Sequence, residues 1–313
     1  MMIKPRLPGG SVLPVLTLSA ALALGGGFAI DAASASAETI NAQHEVSSNW
    51  AGYVVQNNSG ESYTAASGSW NVPKVTSKTG HGYSADWVGI GGASKNSKAL
   101  EQTGTSSNVV NGRAQYSAWY EIVPAAESRF NLTVHPGDHM YARVTVDGST
   151  VKMSLSDQTT GHSVSKTEHP STTDTSSAEW IEEAPSVQTP GGRDQVLPLA
   201  DFDKAKFGST YATAGGRVGS ISDSDWTAED VQLRTGASFT LPGASAGAVT
   251  LPGITVNLPS SGDATPGSLT KGGSSFPVSY SSGNSTTSSG YGRAPGSPIL
   301  TLASDGSTRL CAR

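Results

Sequence analysis

The chain holds a single cysteine, Cys311, two residues from its C-terminal end. No internal disulfide can form, so the fold has to rest on its core. A catalytic thiol so near a chain end is not expected. Charge is scarce as well. Only 14% of the 313 residues are Asp, Glu, Lys or Arg, against roughly 25% in an average domain. The formal net charge of −5 is spread out, with no Lys/Arg run and no acidic tail. That excludes the electrostatic footprint of a nucleic-acid binder or of a protein held on an anionic membrane. Few ion pairs also means few to lose when carboxylates protonate, which is compatible with acid tolerance. Metal-binding patterns of the CxxC, HExxH or calcium-loop type are absent.

Long apolar runs are missing except at the start. Lys4 and Arg6 precede an apolar stretch from Val12 to Leu24, and Ala35-Ser36-Ala37 offers a small-residue cleavage site. Residues 1–37 therefore read as a secretory signal, and the apolar stretch is too short to span a membrane well. This places the mature chain outside the cell, with no membrane attachment once the signal is removed.

What the sequence has in abundance is glycine (37 residues), serine and threonine. Strand alternation is frequent and helical periodicity nearly absent. In "AQYSAWYEIV" (114–123), Tyr116, Ala118, Tyr120 and Ile122 share one face, and Ser117, Trp119 and Glu121 share the other. "MYARVTVDGSTVKMSLSD" (140–157) reads as a hairpin turning at Asp147-Gly148, with another turn at Thr160-Gly161. "SDWTAEDVQL" (224–233) is the one place where a helical turn is expected. Many strands separated by turns argue for an all-β antiparallel sandwich. The folded domain is expected to span 46–280. A short segment, 38–45, precedes it, and a low-complexity tail, 281–313, follows it as a mobile extension.

Three constellations could carry chemistry. Gly243-Ala244-Ser245-Ala246-Gly247 fits GxSxG, but it lies in a Pro/Gly/Ala loop and all six histidines precede it, so a nucleophilic serine is not expected. His135-Pro136-Gly137-Asp138-His139 cannot form the helix face a zinc site needs and reads as a β-turn. The third is the acidic set. "SSAEWIEEAPS" (176–186) concentrates Glu179, Glu182 and Glu183 in an apolar strand. Alternation sends Glu179, Ile181 and Glu183 one way and Ala178, Trp180 and Glu182 the other. Glu183, just before Pro185, is expected to be solvated, which leaves Glu179 as the candidate for proton transfer. Glu121 and Glu179 could form a general acid and base in an aromatic cleft, or could be structural acids.

The order of motifs adds to this. "SNWAGY" (48–53), "WVGIGG" (87–92), "LEQTGT" (100–105), "YSAWYEIVP" (116–124), "PGD" (136–138), "SAEWIEEAP" (177–185) and "LADF" (199–202) follow one another. Together they resemble the glutamic peptidases, or eqolisins, a family of secreted acid endopeptidases, over nearly the whole mature domain. The resemblance implies a β-sandwich of two large antiparallel sheets, of concanavalin-like or jelly-roll type, with a concave substrate cleft. It implies a catalytic pair, Gln102 of "QTG" and Glu179 of "AEW", and a cleft lined by Trp50, Trp119 and Glu121. No cofactor or metal is implied, the partners are protein and peptide substrates, and a monomer suffices. Glu179 would activate water and Gln102 would stabilise the oxyanion. The chain has Ser106, Ser117 and Gly91 where relatives often carry Asp, which implies a slightly lower pKa for Glu179. Two other functions fit the residues. One is a secreted binding module with Trp50, Trp70, Trp87 and Trp119 as a ligand platform. The other is a glycosidase using Glu121 and Glu179.

Overall fold

The computed structural model describes residues 43–94, 96–188, 194–235, 238–241, 245–246, 249–250, 254–257, 262–282, 299–302 and 308–311. The expected signal, 1–37, lies outside the described residues, as do most of the Gly243–Gly247 pattern and most of the C-terminal tail.

Eleven strands come first. They are β1 (Gln43–Ser47), β2 (Trp50–Asn57), β3 (Tyr63–Asn71), β4 (Gly82–Ile90), β5 (Glu101–Val110) and β6 (Arg113–Ile122), then β7 (Ser128–Arg129), β8 (His139–Asp147), β9 (Thr150–Asp157), β10 (His162–Glu168) and β11 (Ser177–Glu183). Later strands of the same sheet are Lys204–Ala214, Arg217–Ser220, Trp226–Arg234, Asp263–Pro266 and Ser275–Ser281. No helix occurs among the described residues.

The expected turns are present. Asp147 pairs with Thr150 across a hairpin whose Gly148 has φ 55°, a value that suits glycine. Gly161, at φ 76°, turns the chain from β9 into β10. His135–His139 is the expected β-turn: the Asp138 N–H donates to the His135 carbonyl and the Asp138 carboxylate accepts from the His135 N–H. The expected helical turn at 224–233 is instead the strand Trp226–Arg234, which pairs with β2 on one side and Asp263–Pro266 on the other. Its buried Trp226, Ala228, Val231 and Leu233 are claimed by sheet packing, and that overrides local propensity.

All sixteen strands join one continuous sheet, antiparallel except where β1 runs parallel to Trp226–Arg234. The first half runs β10-β9-β8-β3, then Lys204–Ala214, Ser275–Ser281 and Asp263–Pro266. The second runs Trp226–Arg234, then β2-β11-β4-β5-β6-β7. The halves meet along a short seam, Leu233 opposite Ala264 and Arg234 opposite Asp263. The sheet curls there and packs on itself, so the two expected sheets are the halves of one.

Indole N–H groups cross the space between the halves. Trp180 on β11 donates to the Ser67 carbonyl on β3 at 2.7 Å, and Trp70 on β3 donates to the Thr105 hydroxyl on β5 at 2.8 Å. The main core fills this space, with Phe207 and Phe276 stacked 5.0 Å apart. On its other face the second half carries a separate cluster that includes Trp50, Val54, Trp87, Leu100, Trp119 and Ile181.

Candidate active site

The register of the second half assembles the candidate residues without any loop. On β11, Glu179 stands opposite Gly89 of β4; Gly89 stands opposite Gln102 of β5; Gln102 stands opposite Glu121 of β6. Residues directly opposite in a sheet project to the same face. One cross-strand row therefore reads Glu179, Gly89, Gln102, Glu121, on the face that also carries Trp87, Trp119 and Ile181.

Gly89 makes the row work. It is the only member without a side chain, so no side chain of the row itself stands between the Glu179 carboxyl and the Gln102 amide. Their backbones are two strand spacings apart, about 9.5 Å, a gap that two extended side chains narrow to the scale of one small reacting group. A Cβ at Gly89 would lie 2.8 Å from Trp87 Cζ3 and 3.0 Å from Leu100 Cδ1, so the indole edge and Leu100 floor the gap. The adjacent row repeats the device. Gly104, the glycine of "QTG", stands between Trp87 and Trp119, and a Cβ there would meet the Asp86 carbonyl oxygen at 2.3 Å. Only glycine lets β4 approach this closely.

Gln102 is oriented by Glu121. Its Nε2 donates to Glu121 Oε2 at 2.7 Å, deep in the sheet. A carboxylate only accepts, so this bond decides which end of the amide faces β6. Gln102 Oε1, both carboxyl oxygens of Glu179 and Nε1 of Trp119 are buried with no hydrogen-bond partner among the described residues. Buried polar atoms in native folds are nearly always paired. Asp86 and Glu182, on the opposite face, likewise carry carboxyl oxygens without a partner among the described residues, so the row itself and not these atoms alone marks the site.

Burial dominates the electrostatics. Glu179 is 0% exposed, and desolvation holds its carboxyl well above the usual range. The neighbouring Ser177 pulls it down without offsetting this, while the charges of Asp174 and Glu101 push it further up. The expectation from Ser106, Ser117 and Gly91 is a comparison with relatives, whereas this rise is relative to a free carboxyl. Gly91 shows part of the reason for the rise. Its φ is 81°, and a Cβ there would lie 2.4 Å from the Asp174 carbonyl oxygen. Asp174 occupies that space from the segment before β11, accepting hydrogen bonds from the Gly92 N–H and the Ser97 hydroxyl. Those bonds keep it below the usual range and charged. Ser106 and Ser117 stand opposite each other on the same face, two residues beyond the tryptophan row.

The strand faces follow the alternation. Ile181 joins the cluster with Trp50, Trp87 and Trp119, whereas Ala178 and Trp180 enter the main core. Trp50 meets Trp87 edge to face at 5.1 Å. Glu183 corrects an expectation: it is buried, not solvated. Asn49 Nδ2 donates to its Oε1 at 2.9 Å and Trp87 Nε1 donates to its Oε2 at 2.8 Å. Desolvation still pushes its carboxyl up to about 8. Glu183 ties β11 to Asn49 and to Trp87 of the floor, a structural role that its position before a proline concealed.

The same geometry weighs against the other two functions. Trp70 lies in the main core, on the opposite face from Trp50, Trp87 and Trp119, so the four form no common platform. Glu121 and Glu179 are three strand spacings apart, about 14 Å between backbones, and Glu121 is engaged by Gln102. Among the described residues no group of His, Cys, Asp and Glu could hold a metal ion.

Residues 48–251 match the model of the Peptidase A4 family. The chain belongs to the Peptidase A4 family. It is thus a glutamic peptidase, a hydrolase of peptide bonds. Solved structures of this family share its fold. Scytalido-glutamic peptidase bound to a transition-state analog inhibitor superposes with a TM-score of 0.55 at 24% identity, covering 75% of this chain and 98% of the other. SCP-B, a member of the eqolisin family in complex with the tripeptide Ala-Ile-His, gives 0.52 at 22% identity with the same coverage. No curated protein matches the chain.

Proposed function

We propose that this glutamic peptidase is a secreted, acid-active endopeptidase in which Glu179 and Gln102 carry the reaction. The observation behind this reading is the row Glu179–Gly89–Gln102–Glu121, with Gln102 anchored to Glu121 at 2.7 Å. A peptide carbonyl held over Gly89 lies between a proton-transfer group and an amide donor. Glu179 takes a proton from water, as the water oxygen bonds to the carbonyl carbon, in the fraction of molecules whose carboxyl is ionised; burial shrinks that fraction in acid, which sets the acid limb of activity. The same carboxyl then passes that proton to the leaving nitrogen as the C–N bond breaks, and Glu179 returns to its starting state. Gln102 cannot titrate. One Nε2 proton is committed to Glu121, and the second is free to meet the oxygen that gains charge in the tetrahedral intermediate. Oε1 of Gln102, unpartnered, is suited to orient the attacking water. Trp50 and Trp119 wall the substrate cleft. The signal-like N-terminal segment supports export, and the chemistry asks for no more than a monomer.

The test is cleavage of a denatured protein by the mature chain between pH 2 and 8, beside Glu179→Gln and Gln102→Ala. Glu179→Gln is expected to abolish cleavage and Gln102→Ala to slow it by about 10²–10³. Full activity in Glu179→Gln would move the chemistry to another residue.

A further inference from the structure

Glu183 stands two rows away from the proposed reacting pair, yet it holds the indole beneath them. Glu179 and Glu183 are four residues apart on β11 and project to one face. β4 sets Gly89 opposite Glu179, Trp87 opposite Ile181 and Ala85 opposite Glu183. Trp87 therefore stands midway, and its indole reaches both ways. Nε1 donates to Glu183 Oε2 at 2.8 Å. At the opposite end of the ring, Cζ3 lies 2.8 Å from where a Cβ on Gly89 would stand. That ring edge is the floor of the gap between Glu179 and Gln102.

The tilt of the indole decides how deep the gap is. Torsion χ2 of a tryptophan is broad, so its rotamer alone fixes the tilt only loosely. Trp50 meets the ring edge to face at 5.1 Å, and the bond from Nε1 supplies the directional contact. Glu183 is itself braced. Asn49 Nδ2 donates to its Oε1 at 2.9 Å, and Asn49 Oδ1 accepts from the Ser47 hydroxyl at 3.2 Å, which settles the orientation of the amide. The Ala184 N–H donates to the Asn49 carbonyl at 2.8 Å and holds this turn beside the end of β11. Ser47, Asn49, Trp87 and Glu183 are all buried, where water does not readily replace a lost partner. The bonds form a relay from Ser47 through Asn49 and Glu183 to the indole under Gly89.

We propose that Glu183 is a positioning residue for peptide hydrolysis: by fixing the tilt of Trp87 it sets the depth of the gap in which the scissile carbonyl sits between Glu179 and Gln102. The proposal rests on the peptidase reading above and adds a residue to that same site. Burial pushes the Glu183 carboxyl up to about 8, so in acid it is neutral and still offers an acceptor oxygen. Glutamine is its near equivalent there. A misplacement of about 1 Å at reacting atoms costs on the order of 10²-fold in rate. A loosened floor should therefore act on kcat and leave substrate binding along the rest of the cleft in place.

The experiment measures kcat and KM for one fluorogenic peptide in acid, corrected for the folded fraction from urea unfolding of each chain. The natural chain is compared with Glu179→Gln, Glu183→Ala, Glu183→Gln, Trp87→Phe and the double variant Glu183→Ala/Trp87→Phe. Glu183→Leu fills the same space without an acceptor and replaces alanine if that chain does not fold. Glu183→Ala is expected to lower kcat about 10–100-fold with KM within about twofold, and Glu183→Gln to recover most of the loss. With Trp87→Phe in place the N–H is gone, and Glu183→Ala should cost less than about threefold more. A folded Glu183→Ala chain with natural kcat would overturn the positioning role and leave a dead Glu179→Gln, and so the catalytic reading, standing. An undiminished loss in the Trp87→Phe background would overturn it too, because Glu183 would not act through the indole. Full cleavage by Glu179→Gln, or none by the natural chain, would overturn both readings.

Discussion

Asp86 on β4 and Glu182 on β11 stand directly opposite one another, both 0% exposed, on the face that packs into the main core. Neither enters an ion pair among the described residues. Two ionised carboxylates in that position would repel at close range in a medium that screens poorly. Desolvation pushes Asp86 up to about 7, and burial together with Asp86 holds Glu182 well above the usual range. Glu101 and Glu183, also buried, are each pushed up to about 8.

These shifts give stability a definite pH dependence. Each group binds its proton more tightly folded than unfolded, so stability is full below about pH 4 and is lost as pH rises through about 7 to 8. In a domain of this size each kcal/mol lost lowers Tm by roughly 2–4 °C. Thermal melts from pH 3 to 9 should fall by on the order of 10 °C between pH 5 and pH 8. Asp86→Asn, which cannot ionise, should flatten part of that fall. A level profile would contradict the account.

Asp174 offers a separate handle on the carboxyl proposed to transfer the proton, Glu179. Its charge raises Glu179, so Asp174→Asn should move the acid limb of the pH–kcat/KM profile to lower pH. Asparagine retains an oxygen for the Gly92 N–H and the Ser97 hydroxyl, so the local fold should hold. A limb that stays in place would separate Asp174 from Glu179.

The anchor of Gln102 can be probed without touching Gln102. Glu121→Ala removes the acceptor at 2.7 Å and should lower kcat by about 10–100-fold, from a hydrogen bond to a charged group of about 1.5–3 kcal/mol. Glu121→Gln keeps an acceptor oxygen and should recover much of the loss. Steady-state kinetics that separate kcat from KM decide it. An equal loss in both variants would point to charge instead of positioning.

Gly89 and Gly104 should respond differently to alanine. At Gly89 the added carbon meets the rim of Trp87 and a leucine methyl, which can shift at a cost of about 1–3 kcal/mol. At Gly104 it meets a backbone carbonyl at 2.3 Å, which can move only with its strand. Urea unfolding should rank Gly104→Ala as the more destabilising. Gly89→Ala should lose more activity than its stability change explains, because its methyl enters the gap between Glu179 and Gln102.

Much of this site was legible in the chain. Alternation along 177–183 separates Glu179 from Glu182, and alternation along 114–123 puts Glu121 with Trp119; both hold in the sheet. What period-2 patterns cannot supply is which strand lies beside which. The role of Gly89 and the facing of Asp86 and Glu182 depend on β11 lying beside β4, and the bond from Gln102 to Glu121 depends on β5 lying beside β6. Asp174 escaped notice because its segment precedes a strand and carries no periodicity. Glu183 was misjudged because nearness to a proline suggested the surface, whereas Asn49 and Trp87 draw it inward.

The placement of β11 has a temporal consequence. β2 and β4 never pair with each other; the slot between them is filled by a strand made much later in the chain. A ribosome-bound fragment ending before Ser177 holds the glutamine and every tryptophan of the pocket wall, yet lacks its proton carrier. Assembly of the proposed site therefore waits on a strand made after all its other members, with five more strands of the sheet still to come.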